Sequence, residues 1–398
     1  MDIGDQPMNH HEALKQYVDA HREELVDFWK ELVNHQGNAS EPERVAALIR
    51  KVRDRLEQEG LQCRLIETGN AIPMLAAVDG PERPGKPLLL CGHLDAVFPS
   101  DAYPENPFEI RDGVAYGPGV VDMKGGVAMM LYIVKALRHI GFDSRPVKIL
   151  LCGDEEVGHV GTNVPDLIRQ EAEGCFCALN TETGRMDNCL AVGRKGNLDC
   201  HVIVHGKGGH VGNEFLNGRN AIEEMAHKIL ALQALTRYEE GVVVSVDVIK
   251  GGIVSNAIPD KCVIEIDCRF NRASDLDVIK RQISEVCAVT HVEGTTTEVL
   301  FVNDMPVFEK IPANEVLLEC INEAAAAMGY EPFGAVIPGG NSDASYLSQA
   351  GIPVICACGV KGKGAHTMNE CAYVETIFER TAMLASAIAS FADAEMIQ

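Results

Sequence analysis

The sequence predicts an α/β protein with a mixed, mostly parallel sheet, interrupted by an inserted α+β block. Three observations predict it. Short apolar runs alternate with helical patterns toward both ends of the chain, as in strand–helix–strand units. Several of those runs end in His, Asp or Glu, and parallel sheets present their chemistry at the carboxyl ends of strands. After about residue 194 the pattern changes to alternating strands with two amphipathic helices. The chain, at 398 residues, exceeds the usual size of one core. The expected division is a first domain from residues 1–194 and 307–398, with 195–306 inserted.

Residues 1–10 read as a disordered lead. From Glu12 to His35 apolar residues recur at helical spacing (Leu14, Tyr17, Val18, Leu25, Phe28, Leu32), which predicts a helix pair. Glu43 to Glu59 is a further helix, stopped by Gly60. Residues 61–67 and 73–78 read as strands, and 81–87 as a Pro-containing turn. The run Pro87-Leu88-Leu89-Leu90 predicts a buried strand leading into Cys91-Gly92-His93-Leu94-Asp95. Glycines crowd Asp122 on both sides in 113–126, where they permit close approach of the backbone to a bound group. A helix is expected from Val127 to Ile140. Val147 to Cys152 is a buried strand ending at Asp154-Glu155-Glu156, and Cys175 to Leu179 is another, ending near Glu182. Four strands would thus end in His/Asp, Asp, Glu/Glu and Glu.

Within the insert, strands are expected at 198–204, 242–249, 262–270 and 297–302, with helices at 220–235 and 274–288. From Asn314 the strand–helix alternation of the first domain resumes. A helix is expected to Met328, then the stretch from Val336 to Asp343, a strand from Pro353 to Ala357, the turn bearing His366, and a closing helix. No internal repeat or low-complexity tract occurs.

Apolar residues are 46% and aromatics 5% of the chain, so the core should be mostly aliphatic. The net charge of −23 argues against nucleic acid and anionic membranes as partners, because phosphate binding needs a basic surface. The fourteen cysteines are scattered, several inside apolar runs (Cys152, Cys262, Cys287, Cys356), and form no C-x-x-C. With no signal-like start and no apolar run near ~18 residues, these predict a reduced, cytoplasmic protein with buried thiols.

Five residues carry metal-ligand chemistry: His93, Asp122, Glu156, Glu182 and His366. Imidazole and carboxylate together suit zinc. Five such ligands overfill one tetrahedral site but fit two ions about 3.5–4 Å apart with a bridging carboxylate. The Glu155-Glu156 doublet leaves one carboxylate free to move protons. Taken singly, each has a plain structural explanation. The doublet could be a solvated turn, Asp122 a helix cap and His366 a loop histidine. Their joint occurrence at successive strand ends favours chemistry.

The stretches GHLDAV (92–97), GPGVVDMKGG (117–126), GDEEVG (153–158), NTETG (180–184), GKGGHVGN (206–213), GGIVSNAIPDK (251–261), PGGNSDAS (338–345) and GAHTMNE (364–370) carry a resemblance. The chain resembles the co-catalytic zinc peptidases and amidohydrolases that include glutamate carboxypeptidase, acetylornithine deacetylase, succinyl-diaminopimelate desuccinylase and aminoacylase. The likeness runs from about residue 87 to 376 in the family's order. It implies a zinc-peptidase-like catalytic domain with an inserted, ferredoxin-like lid and dimerisation domain. It implies two Zn2+ per subunit, with Co2+ or Mn2+ as substitutes: one held by His93, Asp122 and Glu182, the other by Asp122, Glu156 and His366. Asp95 would orient His93, Glu155 would be general base and acid, and the Asp122–Met123 peptide would be cis.

From the insert, His210 would cross a homodimer to stabilise an oxyanion. Asn256, Arg269 and the Gly339-Gly340 backbone would hold a substrate carboxylate. The stretch after Glu182, Thr-Gly-Arg, departs from the family's frequent Pro-Thr or Pro-Ser. The implied activity is release of a C-terminal amino acid, with N-acyl amino acid deacylation second. A non-hydrolytic binding homologue would be expected to lose ligands or base, and here all six positions are filled.

Overall fold

The computed structural model describes residues 10–391. Of the expected disordered lead only His10 lies within them, and it opens the first helix, His10–Ala20. The chain divides into two compact units, one running up to Gly193 and resuming with Lys310–Ile337 and from Ser342, the other Arg194–Glu309 with Pro338–Asn341.

The first unit is built on a six-stranded sheet in the order Gln62–Ile66, Met74–Asp79, Val147–Cys152, Leu88–His93, Cys177–Asn180, Val354–Ile355. Only Met74–Asp79 runs against the rest. All six residues of Leu88–His93 are buried, as expected of an unbroken apolar strand covered on both faces. Helix Gly125–His139 is buried over twelve of its fifteen residues and packs against Arg22–Asn34 and Val374–Ser390. Trp29 fixes one end of this core, its indole N–H donating to the Val120 carbonyl at 3.0 Å.

A second, antiparallel sheet joins Gly362–Lys363, Cys371–Tyr373, Val114–Tyr116 and Glu109–Arg111. These strands of two or three residues give no periodicity to read. They correct one expectation: Asp122 is not carried at the end of a central strand, but follows this smaller sheet. Helix Val164–Ala172 is a further element, absent from the expectations above although Val164, Ile168 and Ala172 recur at helical spacing and are buried.

The second unit is a four-stranded antiparallel sheet in the order Val243–Gly251, Lys261–Phe270, Gly196–His205, Thr296–Met305. Alternate residues of Lys261–Phe270 are buried, so one face is apolar. Helices Ala221–Gln233 and Asp275–Ala288 pack on the sheet. Asn220 caps the first of them, its Oδ1 accepting from the Ile222 and Glu223 amides at 2.9 and 3.1 Å. The same helix buries an ion pair, Lys228 Nζ to Glu224 Oε1 at 2.8 Å. Pro338–Asn341 joins this unit because Arg194 Nη1 donates to the Gly340 carbonyl at 2.9 Å and Asn341 Nδ2 to Asn197 Oδ1 at 2.7 Å. No helix among the described residues is long and apolar enough to cross a membrane.

Candidate metal centre

His93 closes its strand with its ring fully enclosed. Its Nδ1 lies 3.2 Å from Asp95 Oδ1 and 3.2 Å from the Asp95 carbonyl. The Asp95 carboxylate also accepts the Glu155 amide at 3.3 Å and the Glu156 amide at 3.0 Å. One buried acid thus ties the His93 ring to the Glu155–Glu156 turn on the neighbouring strand. His93 Nε2 is buried and makes no hydrogen bond. Around it stand Asp122 Oδ1 at 3.4 Å, Glu182 Oε1 at 3.8 Å and Glu155 Oε2 at 3.9 Å. Burial pulls the imidazole pKa down, but Asp122 and Asp95 outweigh it and hold it well above its ordinary value.

Asp122 lies where the chain turns into helix Gly125–His139. Gly119 takes φ +68° at the start of the turn. The Asp122–Met123 peptide is cis. Gly126 admits no side chain, since a Cβ there would stand 2.0 Å from the Thr181 carbonyl oxygen. The segment is held from outside by Glu370, whose Oε2 accepts the Gly119 amide at 2.9 Å and whose Oε1 accepts the amides of Val121 at 2.8 Å and Asp122 at 3.0 Å. Burial pushes the Glu370 carboxyl up to about 7 against these hydrogen bonds. Burial works against the Asp122 carboxylate too, yet His366 and His93 hold it below its ordinary range.

His366 follows the smaller sheet's strand Gly362–Lys363 at φ +63°. Its Nε2 is 3.1 Å from Glu156 Oε2 and 3.4 Å from Asp122 Oδ2. Contact with Asp122, then Glu156, raises its pKa to about 9. Burial raises Glu156 to about 8 and lifts Glu155 well above the usual carboxylate range.

The donor atoms of His93, Asp122 and Glu182 lie within 4.8 Å of one another, as do those of Asp122, Glu156 and His366. The two groups share Asp122. With an orphaned imidazole nitrogen facing carboxylates, this donor set fits a pair of divalent ions. Cys152, His159 and Asp343 also gather within that distance, but both His159 ring nitrogens are taken by carboxylates, which leaves no imidazole lone pair for a metal.

In the second unit, His210 Nδ1 accepts the Gly212 amide at 3.1 Å, leaving Nε2 as the ring's donor. His210 and Asn256 line one hollow of about 530 Å³. Arg269 is less open than expected: its Nε and Nη2 bind Asp267 at 2.8 and 2.7 Å, and Nη1 reaches the Gly339 carbonyl at 3.4 Å. Two further residues lie inside the motifs GPGVVDMKGG and GAHTMNE but are given no role there. Glu370 braces the Asp122 segment, and buried Lys124 donates from Nζ to the His35 carbonyl at 3.1 Å.

Two candidate ligand groups that share a carboxylate, with another acid in reach, are the site of a metal-dependent hydrolase. The chain belongs to peptidase family M20/M25/M40, whose model matches residues 89–390. It is 30% identical over 299 residues to carboxypeptidase G2 of Pseudomonas sp. (strain RS-16), covering 74% of this chain and 70% of that protein. It is 27% identical over 367 residues to succinyl-diaminopimelate desuccinylase of Wolbachia pipientis subsp. Culex pipiens (strain wPip), covering 86% and 85%. Among solved structures, aminopeptidase PepT of Bacillus cereus ATCC 10987 superposes with a TM-score of 0.80 at 21% identity, covering 94% of this chain and 99% of that one.

Proposed function

We propose that the protein hydrolyses an amide bond next to a carboxylate-bearing amino acid, releasing a C-terminal amino acid in the manner of a glutamate carboxypeptidase. The observation that carries this is the leftover acid: Glu155 stands 3.9 Å from His93 Nε2, yet neither ligand group needs it. His93, Asp122 and Glu182 would hold one zinc ion, and Asp122, Glu156 and His366 the other, with cobalt or manganese as substitutes. Such a pair, when bound, supplies Lewis acidity toward the scissile carbonyl and an acidified water.

Glu155 takes the proton of the attacking water at its carboxylate and returns it to the departing amine. Asp95 keeps His93 and the Glu155–Glu156 turn in fixed relation. His210 of a second copy would offer its Nε2 proton to the oxyanion, which makes a homodimer part of the proposal. Asn256, Arg269 through Nη1, and the Gly339-Gly340 backbone would hold the substrate carboxylate.

The carboxypeptidase relative supports this choice, and the desuccinylase relative supports the second reading, N-acyl amino acid deacylation. A cytoplasmic setting is proposed from the fourteen free cysteines. The test is release of free amino acids from a panel of dipeptides and N-acyl amino acids, with zinc, cobalt or manganese and a chelator control. Chelator-sensitive release from C-terminal glutamyl or aspartyl substrates is expected. Release confined to N-acyl compounds selects the second reading. No release by protein carrying two metals per chain sinks both.

A further inference from the structure

The Glu155–Glu156 turn is gripped from beneath by a residue that no metal chemistry requires. His159 sits four residues after Glu155 with its side chain fully enclosed. Its Nδ1 lies 2.7 Å from Asp154 Oδ1, and its Nε2 lies 2.7 Å from Asp343 Oδ1. A neutral imidazole has one N–H and one lone pair, and a lone pair cannot face a carboxylate oxygen at that distance. The geometry therefore makes the ring a doubly protonated cation between two acids. Burial lowers its pKa, but Asp343 and Asp154 carry it up to about 10.

The grip extends into the turn by several bonds. The His159 amide donates to the Asp154 carbonyl at 3.0 Å, and Thr162 Oγ1 donates to Asp154 Oδ2 at 2.9 Å. On the far side, Cys152 Sγ donates to Asp343 Oδ2 at 3.1 Å. Asp154, the residue before the doublet, is thus fixed through both carboxylate oxygens. His159 also adopts φ +57°, a conformation that side chains other than glycine rarely take. Its backbone preference does not explain its presence; its two hydrogen bonds do.

We propose that His159 is a positioning residue, a buried imidazolium clamped between Asp154 and Asp343 that fixes the turn bearing Glu155 and Glu156. This rests on the reading of Glu155 as base and Glu156 as ligand. Asp95 holds the turn from its amide side. His159 holds its start from the opposite end of Asp154, so the two carboxylates of the doublet are divided between metal and water by constraints at both ends.

The test is His159→Gln, which can donate toward one acid but not both. With metal bound, kcat is expected to fall about 10- to 100-fold, as for other residues that orient a reacting group, while KM changes by less than about threefold. In a Glu155→Gln background the same substitution should cost less than about threefold, because its effect passes through the missing base. A full, multiplicative loss in that background, or an unchanged kcat in folded H159Q, overturns the proposal. If H159Q is unfolded at the assay temperature, H159Q/D343N removes the unpaired acid, and the same measurements are made on it.

Chelator competition gives a readout that needs no substrate. Affinity at the Glu156 site should weaken about 10- to 100-fold in H159Q, and unchanged affinity in folded H159Q rejects the proposal. If wild-type protein binds two metals and cleaves nothing, the hydrolytic reading of the site fails, and the chelator competition alone decides on His159.

Discussion

Glu370 holds the backbone that carries Asp122. A single carboxylate accepts three amides of one short segment, those of Gly119, Val121 and Asp122, at 2.8 to 3.0 Å. Asp122 is the carboxylate shared by both candidate ligand groups, and Glu370 follows His366 by four residues. The loop bearing one imidazole therefore also fixes the main chain beneath the shared acid.

Glu370→Gln keeps the shape but replaces one accepting oxygen with an amide donor, which faces backbone N–H groups. Affinity for the metal pair should fall about 10- to 100-fold, the usual cost of losing an outer support of a ligand. Competition against a chelator of known affinity measures it, and an unaltered affinity would show that the turn holds itself.

Glu155→Gln should retain two metals per chain and lose most of its turnover, on the order of 10²- to 10⁴-fold for removal of a general base. Metal analysis alongside kcat checks both halves. Near-parental turnover would remove Glu155 from the reaction.

Metal uptake should expel protons. In the metal-free site Glu156 is raised to about 8 and His366 to about 9, so both are protonated at pH 7, while ligation needs Glu156 ionised and His366 neutral. Affinity should accordingly climb as pH rises from about 6 to 9. Calorimetry in two buffers of different ionisation enthalpy counts the released protons, and a heat independent of buffer would contradict the assignment.

In the second unit, Lys228→Met would strand Glu224, whose Oε2 still accepts the His291 and Val292 amides at 2.8 and 2.6 Å. Both partners of this pair are fully enclosed. Loss of about 3 kcal/mol is expected for breaking one side of a buried pair. Adding Glu224→Gln should recover part of it, and urea unfolding of the two variants measures the difference.

Much of the first unit is legible in the sequence because its strands are buried on both faces and so read as unbroken apolar runs. Leu88–His93 is of this kind and Val147–Cys152 is broken only by half-buried Lys148, and they position His93 and the Glu155–Glu156 turn. The support of Asp122 and His366 is not legible, since it comes from strands of two or three residues that leave no period. Glu370 is hidden for another reason: its partners are main-chain amides 248 to 251 positions away, which no side-chain pattern announces. His159 reads as loop because its meaning depends on Asp343, distant in sequence. Arg269 is legible as a charge but not as an engaged one. Residues two apart on a strand share a face, which is what brings Asp267 onto its guanidinium.

Ten of the fourteen thiols are buried, and they are divided between the units. In the second unit burial pushes Cys200 and Cys268 up to about 12 and Cys287 up to about 11. At neutral pH such sulfurs hold almost no thiolate, so an alkylating reagent must wait for the chain to open around them. The protein thereby carries its own set of clocks. Pulse alkylation read by mass spectrometry at Cys200, Cys262, Cys268 and Cys287 times the opening of one unit. The same pulse at Cys91, Cys152, Cys177 and Cys358 times the other, with no probe introduced.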